Sequence, residues 1–329
     1  MTRKQQPRYV LAMLAVLQLG AVCAMYVLAG GGFQLDAQAP ATVSYVHLTS
    51  TSLGALEKKL TAQLVTLDKT KAVNETLSPA LATFNPNHRA ILFHRDAASF
   101  GEIHEQVSDF AMVKSGSGSA VIGGKVVNPK VDSPGEIRGS GIEGGTKIKF
   151  SQGDVLFIPA NMPHQFVPDP GKAMSVFVFK PQGMLPHDQP ANFVLWTAAQ
   201  LDDLDKKLAT KLDETKGANE TLAANGDTNK VLDNRRALLF HRKGSGPGEI
   251  HEKVADFAYV RSGSGSLLLG GKLTAGKAQG GGEVRGSGVE GGTQVKLAAG
   301  DVVYVPANLP HRFVVDPGQS LSVVVLKFR

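Results

Sequence analysis

The chain has one cysteine in 329 residues, one tryptophan and an aromatic content of only 6%. The cysteine, Cys23, sits in an apolar run near the N-terminus. A lone thiol excludes an internal disulfide, and its position leaves the rest of the chain without a thiol nucleophile. No basic block occurs, nor any interleaving of basic and aromatic residues. The formal net charge of +6 includes Arg3, Lys4 and Arg8. The remaining surplus is a solvated surface, which argues against a nucleic-acid partner. Helical periodicity is scarce beyond the N-terminus. Glycine is plentiful, at 37 residues, and suits short strands joined by tight turns.

Three basic residues precede the apolar run from Tyr9 to Gly30, which is broken only by Gln18. About 20 apolar residues span a bilayer, and the basic flank predicts that the N-terminus stays in the cytoplasm. The expectation is a signal-anchor, residues 1–40, with a transmembrane helix that holds the body at the inner membrane facing the periplasm. Cleavage near Ala37-Gln38-Ala39 would instead release a periplasmic or secreted protein.

The body is a repeat. Shifting Phe93–Lys180 by 147 residues superposes it without gaps on Phe240–Lys327, with more than half of the positions identical. Six of the nine histidines pair in this way, as His94/His241, His104/His251 and His164/His311. Core positions drift between copies, as at Val121 and Leu268, whereas the histidines and charged residues stay. Each copy should therefore be one similar structural unit.

Leucines at helical spacing predict helices over Leu53–Leu67 and Ala198–Leu212, with Thr197 as N-cap of the second. Apolar runs punctuated by glycine then predict short strands. Ser115-Gly116-Ser117-Gly118 reads as a turn between Asp109–Lys114 and Ser119–Ile122. Many short strands without intervening helices predict an all-β fold of two antiparallel barrels. The domains read as residues 41–180 and 197–329, with 181–196 as linker.

Glu102 and His104 stand two apart on a strand and so share a face. Asp109 alternates with Ala111 and Val113, which points it inward. His164 re-enters a strand after Gly153-Asp154 and a proline turn. The second copy repeats these as Glu249, His251, Asp256 and His311. Such carboxylates and imidazoles converging inside a barrel would be costly to bury without a counter-cation. His94 and His241 end the preceding strand. The glycine-rich phrase Gly135–Gly145, repeated as Gly282–Gly292, keeps Glu136, Arg138 and Glu143. Arg138 and Arg285 there could receive an anionic substrate or pair with a carboxylate.

At these residues the chain resembles the cupin superfamily, and the two copies resemble a bicupin with tandem jelly-roll barrels. His104, Asp109 and Gly116 match the first cupin motif, and Gly153, Pro159 and His164 the second. His251, Asp256, Gly263, Gly300, Pro306 and His311 match in the second copy. Glu102 and Glu249 depart from the pattern, because the family places a histidine there. Asp109 and Asp256 shorten its glutamate, Asn161 and Asn308 replace a glycine, and Pro168 and Val315 replace its final asparagine.

The resemblance implies a divalent metal held by His104, Asp109 and His164, and by His251, Asp256 and His311. Two histidines and one carboxylate leave positions open for ligands, as in non-heme iron oxygenases. An oxygen-rich set favours Mn or Fe, and Zn also accepts carboxylates. Glu102 and Glu249 are candidates for a fourth ligand or a general base. His94, Arg138, His241 and Arg285 are candidates for substrate binding. The implied function is an extracytoplasmic metal-dependent enzyme acting on a small polar molecule, of oxygenase, isomerase or lyase type. The alternative is a non-catalytic binder of a small molecule or metal. The sequence leaves the oligomeric state open, a dimer included.

Overall fold

The structure, a computed structural model, describes residues 45–66, 73–77, 88–181, 192–215, 218–221 and 237–328. The predicted anchor and most of the stretch expected as linker lie outside them. Among the described residues, no helix is long and apolar enough to cross a membrane.

The first copy comprises β1 (Val46–Leu48), α1 (Ser50–Thr66), β2 (Val73–Thr76), β3 (Arg89–Arg95), β4 (Gly101–His104) and β5 (Asp109–Ile122). It continues through β6 (Lys125–Val127), β7 (Lys130–Ser133), β8 (Glu136–Gly139), β9 (Gly141–Glu143), β10 (Thr146–Ser151), β11 (Val155–Ile158), β12 (His164–Pro168) and β13 (Met174–Lys180). The second copy opens with β14 (Val194–Trp196), α2 (Ala198–Thr215), β15 (Ala218–Thr221), β16 (Ala237–Arg242), β17 (Gly248–His251) and β18 (Ala255–Leu269). It ends with β19 (Lys272–Thr274), β20 (Lys277–Gly280), β21 (Glu283–Gly286), β22 (Gly288–Glu290), β23 (Thr293–Ala298), β24 (Val302–Val305), β25 (His311–Val315) and β26 (Leu321–Phe328).

Each barrel is an 11-stranded antiparallel sheet that curls on itself and includes one strand from the other copy, with the same strand order in both. The hub is β5, which pairs with β11 and β13 along its first half and with β10 and β12 along its second. The predicted turn at Ser115–Gly118 is therefore corrected: β5 runs straight through it. A register shift against β13 skips Lys114, and Gly116 at φ 78° takes the bend. A bulge bends and twists a strand without ending it, so the glycines mark a bend in one strand.

Alternation along the strands sorts side chains into separate cores. Ala111, Val113, Ile122, Phe166 and Val178 fill the interior of the first barrel. Val260, Leu267, Phe313 and Val325 do the same in the second. A third core lies between the copies, on the opposite faces of the same strands. It joins Phe110, Phe177 and Phe179 to Phe257, Tyr304 and Phe328, together with helix leucines Leu56, Leu60, Leu201 and Leu208. Phe179 stacks on Phe257 with ring centroids 4.4 Å apart.

The copies also exchange strands. Strand β1, which precedes the first barrel, pairs with β24 of the second through Val46 and Tyr304. Strand β14, at the end of the expected linker, pairs with β11 of the first barrel through Trp196 and Val155. The helix caps follow the exchange. Asp301 Oδ1 accepts the Ser50 N–H of α1 at 2.7 Å, and Asp154 Oδ1 accepts the Ala198 N–H of α2 at 2.7 Å. Thr197 and Gln200 complete a reciprocal capping box, at 3.2 and 2.9 Å. Carboxylates are favourable at helix N-termini, where backbone N–H groups lack partners. The aspartate after the motif glycine thus docks a helix that starts in the other half.

Candidate functional site

Strand pairing brings the candidate residues together. On β4, Glu102 lies opposite His164 of β12 and Arg138 of β8, and His104 lies opposite Glu136 of β8. Asp109 begins β5, and Lys180 ends β13 on the same inward face as Val176 and Val178. These side chains line a cavity of about 750 Å³ in the first barrel. His104, Asp109, His164 and Lys180 are all buried.

The protons are constrained. His164 Nδ1 lies 2.9 Å from the Met162 carbonyl, to which it can only donate. Its Nε2 faces Asp109 Oδ2 at 3.5 Å. Burial lowers the His164 pKa, but hydrogen bonding and charge from Asp109 outweigh this and raise it. His104 Nδ1 donates to Glu136 Oε2 in a short contact, leaving Nε2 as an acceptor. That Nε2 takes a bond from Lys180 Nζ at 2.8 Å. Burial, then the Lys180 charge, lowers the His104 pKa. Lys180 Nζ also donates to Asp109 Oδ1 at 2.5 Å. Burial alone would raise the Asp109 carboxyl, yet Lys180 and the histidines hold it well below the usual carboxylate range. Glu136 is lowered to about 2: its own burial raises it, and His104 and Arg89 overcome that.

The second copy repeats the arrangement with different spacings. Lys327 Nζ lies 2.6 Å from His251 Nε2 and 2.7 Å from Asp256 Oδ1. Glu283 Oε2 accepts from His251 Nδ1 at 2.6 Å. His311 Nδ1 donates to the Leu309 carbonyl at 2.9 Å, and its buried Nε2 has no hydrogen-bond partner.

Two donor groups lie close enough to hold a metal ion: His104, Asp109 and His164, and Glu249, His251 and His311, each with donor atoms within 4.8 Å of one another. Asp256 stands beside the second group, 3.3 Å from His251 Nε2 and 3.6 Å from His311 Nε2. The donor chemistry fits a divalent ion. The orphaned Nε2 of His311 supports this, since its lone pair faces the site while its other nitrogen is committed. Each group also meets a lysine ammonium. An ion held by His104, Asp109 and His164 would compete with Lys180 for the His104 Nε2 lone pair and stand against its charge. Metal binding and the lysine contact at His104 Nε2 are therefore alternatives.

The other candidates separate. Glu102 lines the cavity and pairs with Arg138 at 3.3 Å; Glu249 pairs with Arg285 at 3.4 Å. Arg138 also bonds Asp132 at 2.8 Å, so it is paired with carboxylates. His94 lies on the opposite face of β3 from the cavity-lining Phe93 and Arg95, and its Nδ1 bonds Ser175 Oγ at 2.7 Å. His241 Nδ1 bonds Asp205 of α2 at 2.9 Å. Neither histidine is in the metal-like groups. Sequence reading missed Lys180 and Lys327, as well as the histidine-orienting role of Glu136 and Glu283. The available signal was their exact recurrence at the repeat spacing.

No family model and no curated protein matches the chain. Solved structures do. The salicylate 1,2-dioxygenase of Pseudaminobacter salicylatoxidans is 13% identical, with a TM-score of 0.59 over 88% of this chain and 85% of its own. Its adduct with gentisate is 13% identical, with a TM-score of 0.60 over 87% of this chain and 81% of the other. At this identity the likeness concerns the fold. Both barrels are matched together, each carrying its His and carboxylate group, and the chain has the fold of a bicupin, two cupin barrels in one polypeptide.

Proposed function

We propose that the protein binds and acts on a small polar molecule in each barrel, at a centre built to hold a positive charge between His104, Asp109 and His164 and their counterparts. The observation that carries this is the buried group at the wall of the first cavity, repeated in the second barrel, with its imidazole tautomers fixed in the first by Glu136 and the Met162 carbonyl. In the metal-dependent reading, a divalent ion, Mn or Fe before Zn, would be held by His104, Asp109 and His164, and by His251, His311 and a carboxylate from Asp256 or Glu249. The ion would supply Lewis acidity and open coordination positions. Glu102, at the cavity wall and opposite His164, and Glu249, opposite His311, would accept a proton from the bound molecule. Oxygenase, isomerase and lyase chemistry all fit such a centre, and fold does not choose among them. The dioxygenase neighbours with bound gentisate favour small-molecule chemistry over a purely structural role.

A second reading is favoured by Lys180 and Lys327, which already place a cation against both donors. In it, the barrels work without metal and the ammonium polarises the ligand. Elemental analysis of the purified protein tests the choice. Stoichiometric Mn, Fe or Zn, lost in His104→Ala/His251→Ala, supports the metal reading. A metal-free protein whose ligand binding survives chelation supports the lysine reading. Placement outside the cytoplasm rests on the Tyr9–Gly30 run alone; fractionation of cells expressing the full chain tests it.

A further inference from the structure

The ionisable groups lining the first cavity are nearly all paired. Arg89 bonds Glu136 at 2.8 Å, Arg138 bonds Glu102 at 3.3 Å and Lys180 bonds Asp109 at 2.5 Å. Arg95 is the exception. It lines the same cavity and its buried Nε has no hydrogen-bond partner. Among the described residues no carboxylate forms an ion pair with it. Its guanidinium lies over the Phe93 ring, 4.8 Å from the centroid. Burial lowers its pKa to about 10, partly offset by the Glu102 charge.

The second copy reproduces the exception. Arg242 Nε is also buried without a partner, and its guanidinium lies 5.0 Å from the Phe240 centroid. A surface arginine is solvated, but a buried N–H donor left unpaired costs about 1–3 kcal/mol. Two copies keeping the same cost at the same place is unexpected for a purely structural residue. Stacking on a phenylalanine holds the planar fork in one orientation, which reduces the entropy lost when it engages a planar partner. The matching partner is a carboxylate, which takes parallel N–H donors. Phe93, Phe166, Ile91 and Val178 line the cavity, so the body of such a ligand would meet an apolar wall.

We propose that Arg95 and Arg242 are carboxylate-binding residues, each anchoring a small monocarboxylate with an apolar or aromatic body in its barrel. This names the ligand class for the site and rests on the reading that each barrel holds a small molecule. It does not depend on whether metal or lysine supplies the central charge.

Calorimetric titration of the full chain with formate, acetate and benzoate, and with benzamide as a neutral isostere, tests the proposal. Benzoate is expected to bind at two sites per chain. Arg95→Gln and Arg242→Gln should each remove one site, and benzamide should bind more weakly by on the order of tenfold or more. Arg95→Lys, which keeps the charge but loses the fork, should bind with intermediate affinity. Thermal melts should show the variants folded, since neither substitution strands a partner. Benzoate binding that persists in the double variant, equal binding of benzamide, or no carboxylate binding at all would each overturn the proposal. The metal analysis above would stand in all three cases, so failure here is distinct from failure of that reading.

Discussion

Lys180 Nζ lies 2.5 Å from Asp109 Oδ1 and 2.8 Å from His104 Nε2, at the place where the sequence pattern alone points to a metal. Lys327 makes the same bridge between Asp256 and His251. Two cation sources thus converge on one donor set, and their competition is measurable.

Lys180→Met with Lys327→Met removes the internal cation while keeping an apolar stem of similar length. Without metal, a buried aspartate is left uncompensated, at a cost of about 3–5 kcal/mol. Added Mn or Zn should restore that stability and bind on the order of tenfold tighter than to the wild type. Metal titration followed by thermal melting reads both effects. Unchanged affinity in the variant would show that the lysines do not compete.

Asp301 holds the exchanged segment through His47 at 3.0 Å and the Ser50 N–H at 2.7 Å. Asp301→Ala should destabilise the chain by about 2–4 kcal/mol, from loss of a cap and a buried charge-assisted bond. Burial raises the Asp301 carboxyl, but the His47 and backbone hydrogen bonds outweigh this and lower it below its ordinary value of 3.8. Its contribution is then present above that value and is lost as pH falls through the lowered one. Urea melts at decreasing pH should show the difference between wild type and Asp301→Asn shrinking below about pH 4.

Gly263 sits at φ 83°, and a Cβ there would lie 1.8 Å from the Ser320 carbonyl oxygen. Both the left-handed backbone and the contact exclude a side chain. Gly263→Ala should cost about 3 kcal/mol or more, read as a lowered denaturation midpoint. Gly244, with open space around it and no positive φ, is the control and should tolerate alanine.

Phe257 is buried between Phe110, Phe177 and Phe179. Phe257→Ala should cost about 3–5 kcal/mol. Because its partners come from the other copy, both barrels should melt together in calorimetry. Two separated transitions would contradict a shared core.

Much of the fold was legible because its signals are local. Leu53, Leu56 and Leu60 at helical spacing, and Asp109, Ala111 and Val113 in alternation, report their own elements. The proximity of His104, Asp109 and His164 was legible because the cupin spacing ties distant residues to one centre. Lys180 was not, since a lysine closing an apolar strand reads as its solvent end; only β13 beside β5 turns it onto Asp109. The role of Glu136 depends on a pairing across 32 residues that places it opposite His104. Arg95 escaped notice because what distinguishes it is the partner it lacks. The Ser115–Gly118 turn failed because glycine-rich sequence marks a bulge and a turn alike.

The exchanged strands β1 and β14 bear on the origin of the chain. A single repeat, expressed alone, would carry a strand that its own barrel does not use and a sheet edge waiting for one. Two such chains would satisfy each other by a reciprocal exchange about a twofold axis, with the phenylalanine core as the shared face. The protein thus has the form of a strand-swapped homodimer whose subunits have been joined end to end, and cutting it between the barrels should give two halves that recombine.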